Sequence, residues 1–504
     1  MALSRAIRLP GAAGPVLGRV FGLDLRSLAL FRILLACVLI GDLLNRARDL
    51  EALYTDFGAV PRDVLVRHWP AAGRVCLHLI NGSLAGQITL FAAAGLAHLC
   101  LLVGLRTWLA QLASWLLLLS LHGRNPLVLY GADDLLRMLL FWSLFVPLGE
   151  AFSVDSTLPD STARRRHQPH LSVGGVALLL QVAMVYWTTA ALKTSPEWRR
   201  DGTAIFYALA NEQFVDRLGV WLRSAPPSVL HGLTFGTLAL EAFAPFLLFS
   251  PVAHVRLRMA AIAGLCALHV GLFATMALGI FPFVSIVAMV PFIPPEVWGQ
   301  FDVHVRRLDA NLMKWYRAIA PWAATSASTR APLARAVAAN LAAGVLLVYV
   351  ALANLGSVPH LGALAPRHLQ WLSDALRLDQ EWDMFAPAPM REDGWYVMPG
   401  LLENGKEVDV YAGKEEPVTW ARPPLIIDTY RNDRWQTYLW HLWEKDYAAY
   451  LQPYGRYLCR SWNARRRQGE RLAQFRIYLM SMPVPRSGVE RPVRPILLWD
   501  HRCF

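Results

Sequence analysis

The chain has 504 residues, of which 55% are hydrophobic, with a formal net charge of +12 and a mean hydropathy of +0.33. Apolar sequence at this level, gathered into runs of roughly twenty residues, excludes an ordinary soluble fold and fits a polytopic membrane protein. Nucleic-acid binding is excluded as well, because the arginines are scattered through short loops between apolar runs and form no basic stripe.

In chain order, residues 1–26 carry Arg5 and Arg8 but no compact apolar core with a cleavage site, so no removable signal peptide is read. Ser27–Leu44 is the first span. Pro61–His68 follows as an amphipathic surface helix. Leu84–Val103 and Thr107–Leu121 are the next two spans, turned at Gly104 and Arg106. Asn125-Pro126 ends the third, because a residue before proline is pushed out of the helical region. Asp133 and Asp134 cap the fourth, Leu135–Leu148, at its positive end. A polar loop, Phe152–Leu171, leads to the fifth span, Val173–Leu192, which stops at Lys193. Short helices are expected over Pro196–Leu209 and Glu212–Arg223. Leu230–Phe249, Met259–Ile280 and Phe281–Ile293 supply spans six to eight, the last bracketed by prolines, so that part-way insertion is an alternative. Phe301–Ala320 is an amphipathic surface helix closed by Pro321, and Ala336–Leu355 is the ninth span. The predicted fold is therefore mainly α: a bundle over 27–355 and a soluble α+β domain over 356–504.

The side holding the amino terminus carries sixteen basic residues against eleven on the other. That places the amino terminus in the cytoplasm and the carboxy-terminal domain outside, in the periplasm or extracellular space. None of the six cysteines forms a CxxC motif. Cys37, Cys100 and Cys266 read as core residues. Export permits a Cys459–Cys503 disulfide, with an unlinked pair as the alternative. Within the carboxy-terminal domain, alternation around Asn404-Gly405 predicts a hairpin over Gly394–Tyr411, and Phe475–Met482 is expected to pair with Pro495–Asp500. Asp433–Tyr450 and Tyr454–Arg466 have helical spacing. Trp435, Trp440, Trp443 and Trp462 read as core or interfacial anchors, or else as a ligand cage.

The polar residues at the edges of the fifth to seventh spans are costly to place there and are the candidate site. Lys193 opens the segment that holds Glu197 and Trp198; Glu241 and His269 lie within the next two spans. Each has a plainer reading: Lys193 snorkelling to the interface, Glu241 paired inside the bundle, His269 a satisfied core histidine. No third ligand accompanies Cys266 and His269, so no metal is expected.

Leu30-Phe31-Arg32-Ile33, Tyr54–Arg62, Gly123–Asp133, Leu268–Phe273 and Gln380–Pro387, in this order, resemble the HTTM proteins, whose horizontally transferred transmembrane domain occurs in bacterial membrane proteins and in vitamin K-dependent gamma-carboxylase. The resemblance implies an inner-membrane protein with Lys193 as a base toward a reduced, vitamin K-like quinone, and O2 and CO2 as co-substrates. A lysine half desolvated beside Arg199 and Arg200 is expected to give up its proton readily, as a base requires. The resemblance also implies a substrate or quinone pocket drawing on Glu197, Trp198, Asp155, Asp133, Arg124 and Asn125, with Glu241 and His269 as supporting groups. Ser153-Val154-Asp155 matches a carboxylase motif, but Gly149-Glu150 stands before it where the carboxylase has an Asn-His pair associated with the quinone.

Three functions follow. The first is a carboxylase-like membrane enzyme acting on a secreted protein or peptide at the outer face of the bilayer. The second is a non-catalytic maturation factor that holds such a partner through the Trp382–Pro387 segment. A transporter is third, since the spans show no internal repeat.

Overall fold

The computed structural model describes residues 13–69, 76–157, 169–319, 333–359, 361–413, 417–464, 466–484 and 492–504. Arg5, Arg8, the Arg164–Arg166 triplet and Pro321 lie outside the described residues. The principal helices are α1 (Leu25–Ala47), α2 (Leu84–Val103), α3 (Thr107–Arg124), α4 (Gly131–Ser143), α5 (Val173–Leu192), α6 (Pro227–Leu248), α7 (His254–Thr275), α8 (Phe281–Met289), α9 (Asp302–Ile319), α10 (Leu333–Gly356), α11 (Asp433–Trp443) and α12 (Leu451–Asn463).

Six of these, α1, α2, α5, α6, α7 and α10, are long and apolar enough to cross a membrane, against the nine spans expected. The difference lies in α3, α4 and α8. α4 has 13 residues and α8 has 9, and α3 carries Gln111, Ser114, Ser120 and His122 on buried positions. Helices covered by protein rather than lipid need neither full length nor a uniformly apolar surface. From Leu135 to Ser143 every residue of α4 is buried.

Local chemistry sets the helix ends. Asp24 accepts the Arg26 amide at 2.8 Å ahead of α1, and Ser172 accepts that of Gly175 at 3.1 Å ahead of α5. α2 ends at Gly104 in the left-handed region (φ +70°), where a Cβ would lie 2.5 Å from Arg32 Nη1. Arg32 itself is fully buried and donates to the carbonyls of Leu148 (3.0 Å) and Phe152 (2.6 Å), tying the start of α1 to the loop after α4. This is the proximal end of the bundle. The paired surface helix at this end is α9, whose Met313 and Tyr316 pack on Val154.

At the distal end the carboxy-terminal residues build on the bundle. β1 (Glu392–Val397), β2 (Pro399–Leu402), β3 (Glu407–Asp409), β4 (Leu472–Pro483) and β5 (Arg494–Arg502) form one antiparallel sheet around β4, which pairs with β1 and β2 along one edge and β5 along the other. The expected hairpin is real but shorter, running from β2 to β3 through Asn404-Gly405, because the residues of β1 pair with β4 instead. The expected pairing of Phe475–Met482 with Pro495–Asp500 is present. Cys459 and Cys503 are joined by a disulfide. Cys37 is exposed on the bundle surface rather than in the core, and Cys100 and Cys266 are half-buried. One apolar cluster unites Leu43, Tyr54 and Val128 of the bundle with Tyr396, Trp435 and Tyr438 beyond it. The expected helix over Pro196–Leu209 is split into Pro196–Arg199 and Ala204–Ala210 by Gly202 (φ +68°), and Glu212–Arg223 narrows to Arg217–Arg223 behind the Asp216 cap.

Candidate functional site

Lys193 ends α5 because its backbone leaves the helical region there. Its side chain does not snorkel outward. Lys193 is 3% exposed, and its Nζ donates to Glu241 Oε2 of α6 at 2.5 Å while lying 4.7 Å from the Trp198 ring centroid. Glu241 is thus the charged partner that meets the amine. Arg199 turns back instead, donating to the carbonyls of Lys193 (2.7 Å) and Ala190 (2.8 Å) and capping the end of α5.

One turn pair earlier on the same helix, Tyr186 meets His269 Nε2 of α7 at 2.8 Å. Tyr186 and Lys193 are seven residues apart, close to two full turns, so they share one face of α5. Glu241 also lies within electrostatic reach of Tyr186. The structure therefore brings Lys193, Trp198, Glu241, Tyr186 and His269 into one layer between α5, α6 and α7. Tyr186 was not a sequence candidate. Its spacing from Lys193 was the available signal.

The Gln380–Pro387 stretch lies along α5. Gln181 Nε2 donates to Gln380 Oε1 (2.6 Å), Thr189 Oγ1 to the Trp382 carbonyl (3.2 Å), and the Ser195 amide to the Pro387 carbonyl (3.1 Å). On its other side this stretch walls a cavity of about 750 Å3 between the distal ends of α4, α8 and α10 and the face of α11. Phe385 lines that cavity and its carbonyl accepts Trp198 Nε1 at 2.8 Å; Phe281 lines it too, with its ring 5.5 Å from that of His269. The Lys193 amine does not line the cavity. The Trp198 side chain, against the amine on one side and bonded to the Phe385 carbonyl, connects Lys193 to the cavity wall.

The remaining candidates are distributed elsewhere. Glu197 pairs with Arg391, whose guanidinium also covers the Tyr207 ring. Burial pushes the Glu197 carboxyl up, but hydrogen bonding with Ser195 and its own amide, together with Arg391, holds it below the usual glutamate value. Asp155 accepts from the Arg106 amide (2.8 Å) and from the Thr107 amide (2.7 Å) and hydroxyl (2.6 Å), capping α3 at the proximal end. The length of α5, about 30 Å, separates that end from Lys193. Arg124 donates to the Val60 carbonyl (2.7 Å) and Asn125 to that of Leu53 (2.9 Å), so both hold the Tyr54–Arg62 loop in place.

Asp133 belongs to a buried network. It binds Arg46 through Oδ1 and Arg434 through Oδ2 (2.6 Å), and Asp42 binds the same two arginines at 2.8 and 2.6 Å. Two carboxylates and two guanidiniums balance in charge, the condition under which such groups tolerate burial. The ligand atoms of Asp42, His122 and Asp133 lie within 4.8 Å of one another, but the arginines already take up the carboxylate oxygens. Arg434 joins the carboxy-terminal α11 to α1 and α4, and nothing in its sequence neighbourhood marks it.

Comparison with curated proteins and with solved structures finds no match. A family model described as the HTTM domain matches residues 22–298. That match takes in Lys193, Glu241 and His269 and spans more than half of the chain, which therefore belongs to the HTTM family.

Proposed function

We propose that the protein is an integral-membrane enzyme that carries out base chemistry of the vitamin K-dependent gamma-carboxylase kind at the outer end of its bundle. The observation that carries this reading is the Lys193 amine, buried at the end of α5, paired at 2.5 Å with Glu241 and lying against Trp198, whose indole N–H is bonded to the carbonyl of the cavity-lining Phe385. A lysine that exchanges its proton with an adjacent carboxylate can present a free amine without separating charge in a low-dielectric site. Tyr186 and His269 supply a second hydrogen-bonded pair on the same face of α5 for moving or holding a proton.

The aromatic side chains near the amine and in the cavity lining, Trp198, Phe385 and Phe281, suit a flat, lipophilic ring such as a reduced quinone. That group, when bound, would supply the reducing electrons, with O2 and CO2 as co-substrates. Since Lys193 does not line the cavity, the amine reaches such a ring only if Trp198, which lies against it, shifts. The chain's contributions are the buried amine, the carboxylate that takes its proton, and an apolar wall that excludes water.

In this reading α3, α4 and α8 complete nine crossings of an inner membrane of bacterial type. Alternation of contacts supports it: Arg32 and Asp155 gather the proximal loops, and Asp133 and Arg434 the distal ones. The excess of positive charge on the amino-terminal side supports a cytoplasmic proximal end and a periplasmic carboxy-terminal domain, where a Cys459–Cys503 disulfide is stable. One observation favours the second reading, a non-catalytic maturation factor: the Lys193–Glu241 pair is closed, and the amine does not line the cavity. Mass spectrometry of secreted proteins from cells with and without the chain decides between them. A gain of carbon dioxide on glutamate that vanishes in Lys193→Met supports the enzyme. Loss of a secreted protein with no gain of carbon dioxide on glutamate supports the maturation factor.

A further inference from the structure

The cavity's chemistry is uneven. Its inner part is aromatic, with Tyr130, Phe281 and Trp440, whereas its exposed rim carries Glu381, Asp383 and Glu444. Other charges in the lining are already matched. Arg137 holds Asp134 at 2.9 Å and Arg377 holds Asp379 at 3.3 Å, while Asp433 accepts from Asn45 (2.7 Å) and Tyr130 (3.1 Å). Among the described residues no such cation meets Glu381, Asp383 or Glu444. Burial and the neighbouring Asp383 and Asp379 carboxylates push Glu381 up, and burial with Asp446, Glu381 and Asp383 pushes Glu444 up.

A second observation comes from α10. Asn354 is 5% exposed and lines the cavity; its Nδ2 donates to the Val350 carbonyl at 2.9 Å, and its Oδ1 has no partner. An acceptor left unpaired in a buried position costs free energy unless a donor arrives. Carboxylates without a cation, an amide oxygen without a donor, and aromatic faces alongside all ask for the same complement.

We propose that this cavity binds a small organic cation, an ammonium or guanidinium compound with an apolar or aromatic body. Its charged end sits at the Glu381–Asp383–Glu444 rim, its N–H groups reach Asn354 Oδ1, and its body packs on Tyr130 and Trp440. A volume of about 750 Å3 is in the range that encloses such a molecule. The inference uses the cavity alone and does not need Lys193 to act as a base.

Isothermal titration of the full-length protein in nanodiscs tests it, with tyramine as the cationic probe, 4-ethylphenol as its uncharged counterpart, and calcium alone as the metal control. Tyramine is expected to bind saturably, and 4-ethylphenol to bind at least about tenfold more weakly. The double variant Glu381→Gln/Asp383→Asn is expected to lose at least about tenfold in tyramine affinity with an unchanged melting temperature, since both side chains sit on the exposed rim. Glu444→Gln gives an independent variant, and Asn354→Leu should weaken tyramine without creating affinity for 4-ethylphenol. Equal binding of the two phenols, undiminished affinity in the double variant, absence of tyramine binding, or calcium binding that the rim variants abolish while tyramine affinity stays intact would each overturn the proposal. Because binding is read without any reaction, failure of the carboxylase reading leaves this result standing.

Discussion

Replacing Lys193 by methionine separates a structural ion pair from a catalytic one when it is combined with Glu241→Leu. The side chains of Lys193 and Glu241 are 4% and 10% exposed and meet at 2.5 Å, so each single substitution strands the other group in a water-poor site. Breaking a buried pair from one side costs about 3–5 kcal/mol, whereas replacing both partners by apolar groups of similar size is close to neutral. The expected pattern is thus two destabilised single variants and a double variant within about 1 kcal/mol of wild type, a coupling of roughly 3 kcal/mol or more. Unfolding by denaturant in reconstituted bilayers reads stability, and modification of secreted proteins reads function. If Lys193 is the base, all three variants are inactive although the double variant is stable. Full activity of the double variant would refute the catalytic assignment, and a Lys193→Met variant as stable as wild type would refute the buried pair itself.

Arg434→Gln should destabilise the protein by about 3–5 kcal/mol, because Asp42 and Asp133 would share Arg46 alone; limited proteolysis should then release the carboxy-terminal residues first. Asp393 is fully buried, and burial pushes its carboxyl up to about 6 against the hydrogen bonds from the Glu212 and Gly394 amides. The folded state therefore holds this proton more tightly than the unfolded chain, so stability falls as pH rises from about 4 to about 6, by up to about 3 kcal/mol. Thermal melts of Asp393→Asn across that window should show a flatter profile than wild type. In intact cells Cys459 and Cys503 should resist alkylation until a reductant is added, and ready labelling without reductant would argue against an exported carboxy-terminal domain.

What was legible in the sequence was local. α5 runs from Val173 to Leu192 and stops at Lys193 as read, Gly104 ends α2, and Asn404-Gly405 turns a hairpin, because helix ends, left-handed positions and tight turns are decided by residues within a few places of one another. Hydropathy marked the lipid-facing helices for the same reason. It also marked α4 and α8, which are shorter and largely covered by neighbours, since an apolar run does not say whether lipid or protein covers it.

Partner choice was settled only by the tertiary structure. Lys193 stood between Glu241, the open interface and two nearby arginines, and packing of α5 against α6 decided for Glu241 across 48 residues. Tyr186 joins His269 across 83 residues, and Arg434 reaches Asp133 across 301. No local pattern encodes such pairs, because burying a charge obliges it to find whatever opposite group the assembled bundle places alongside.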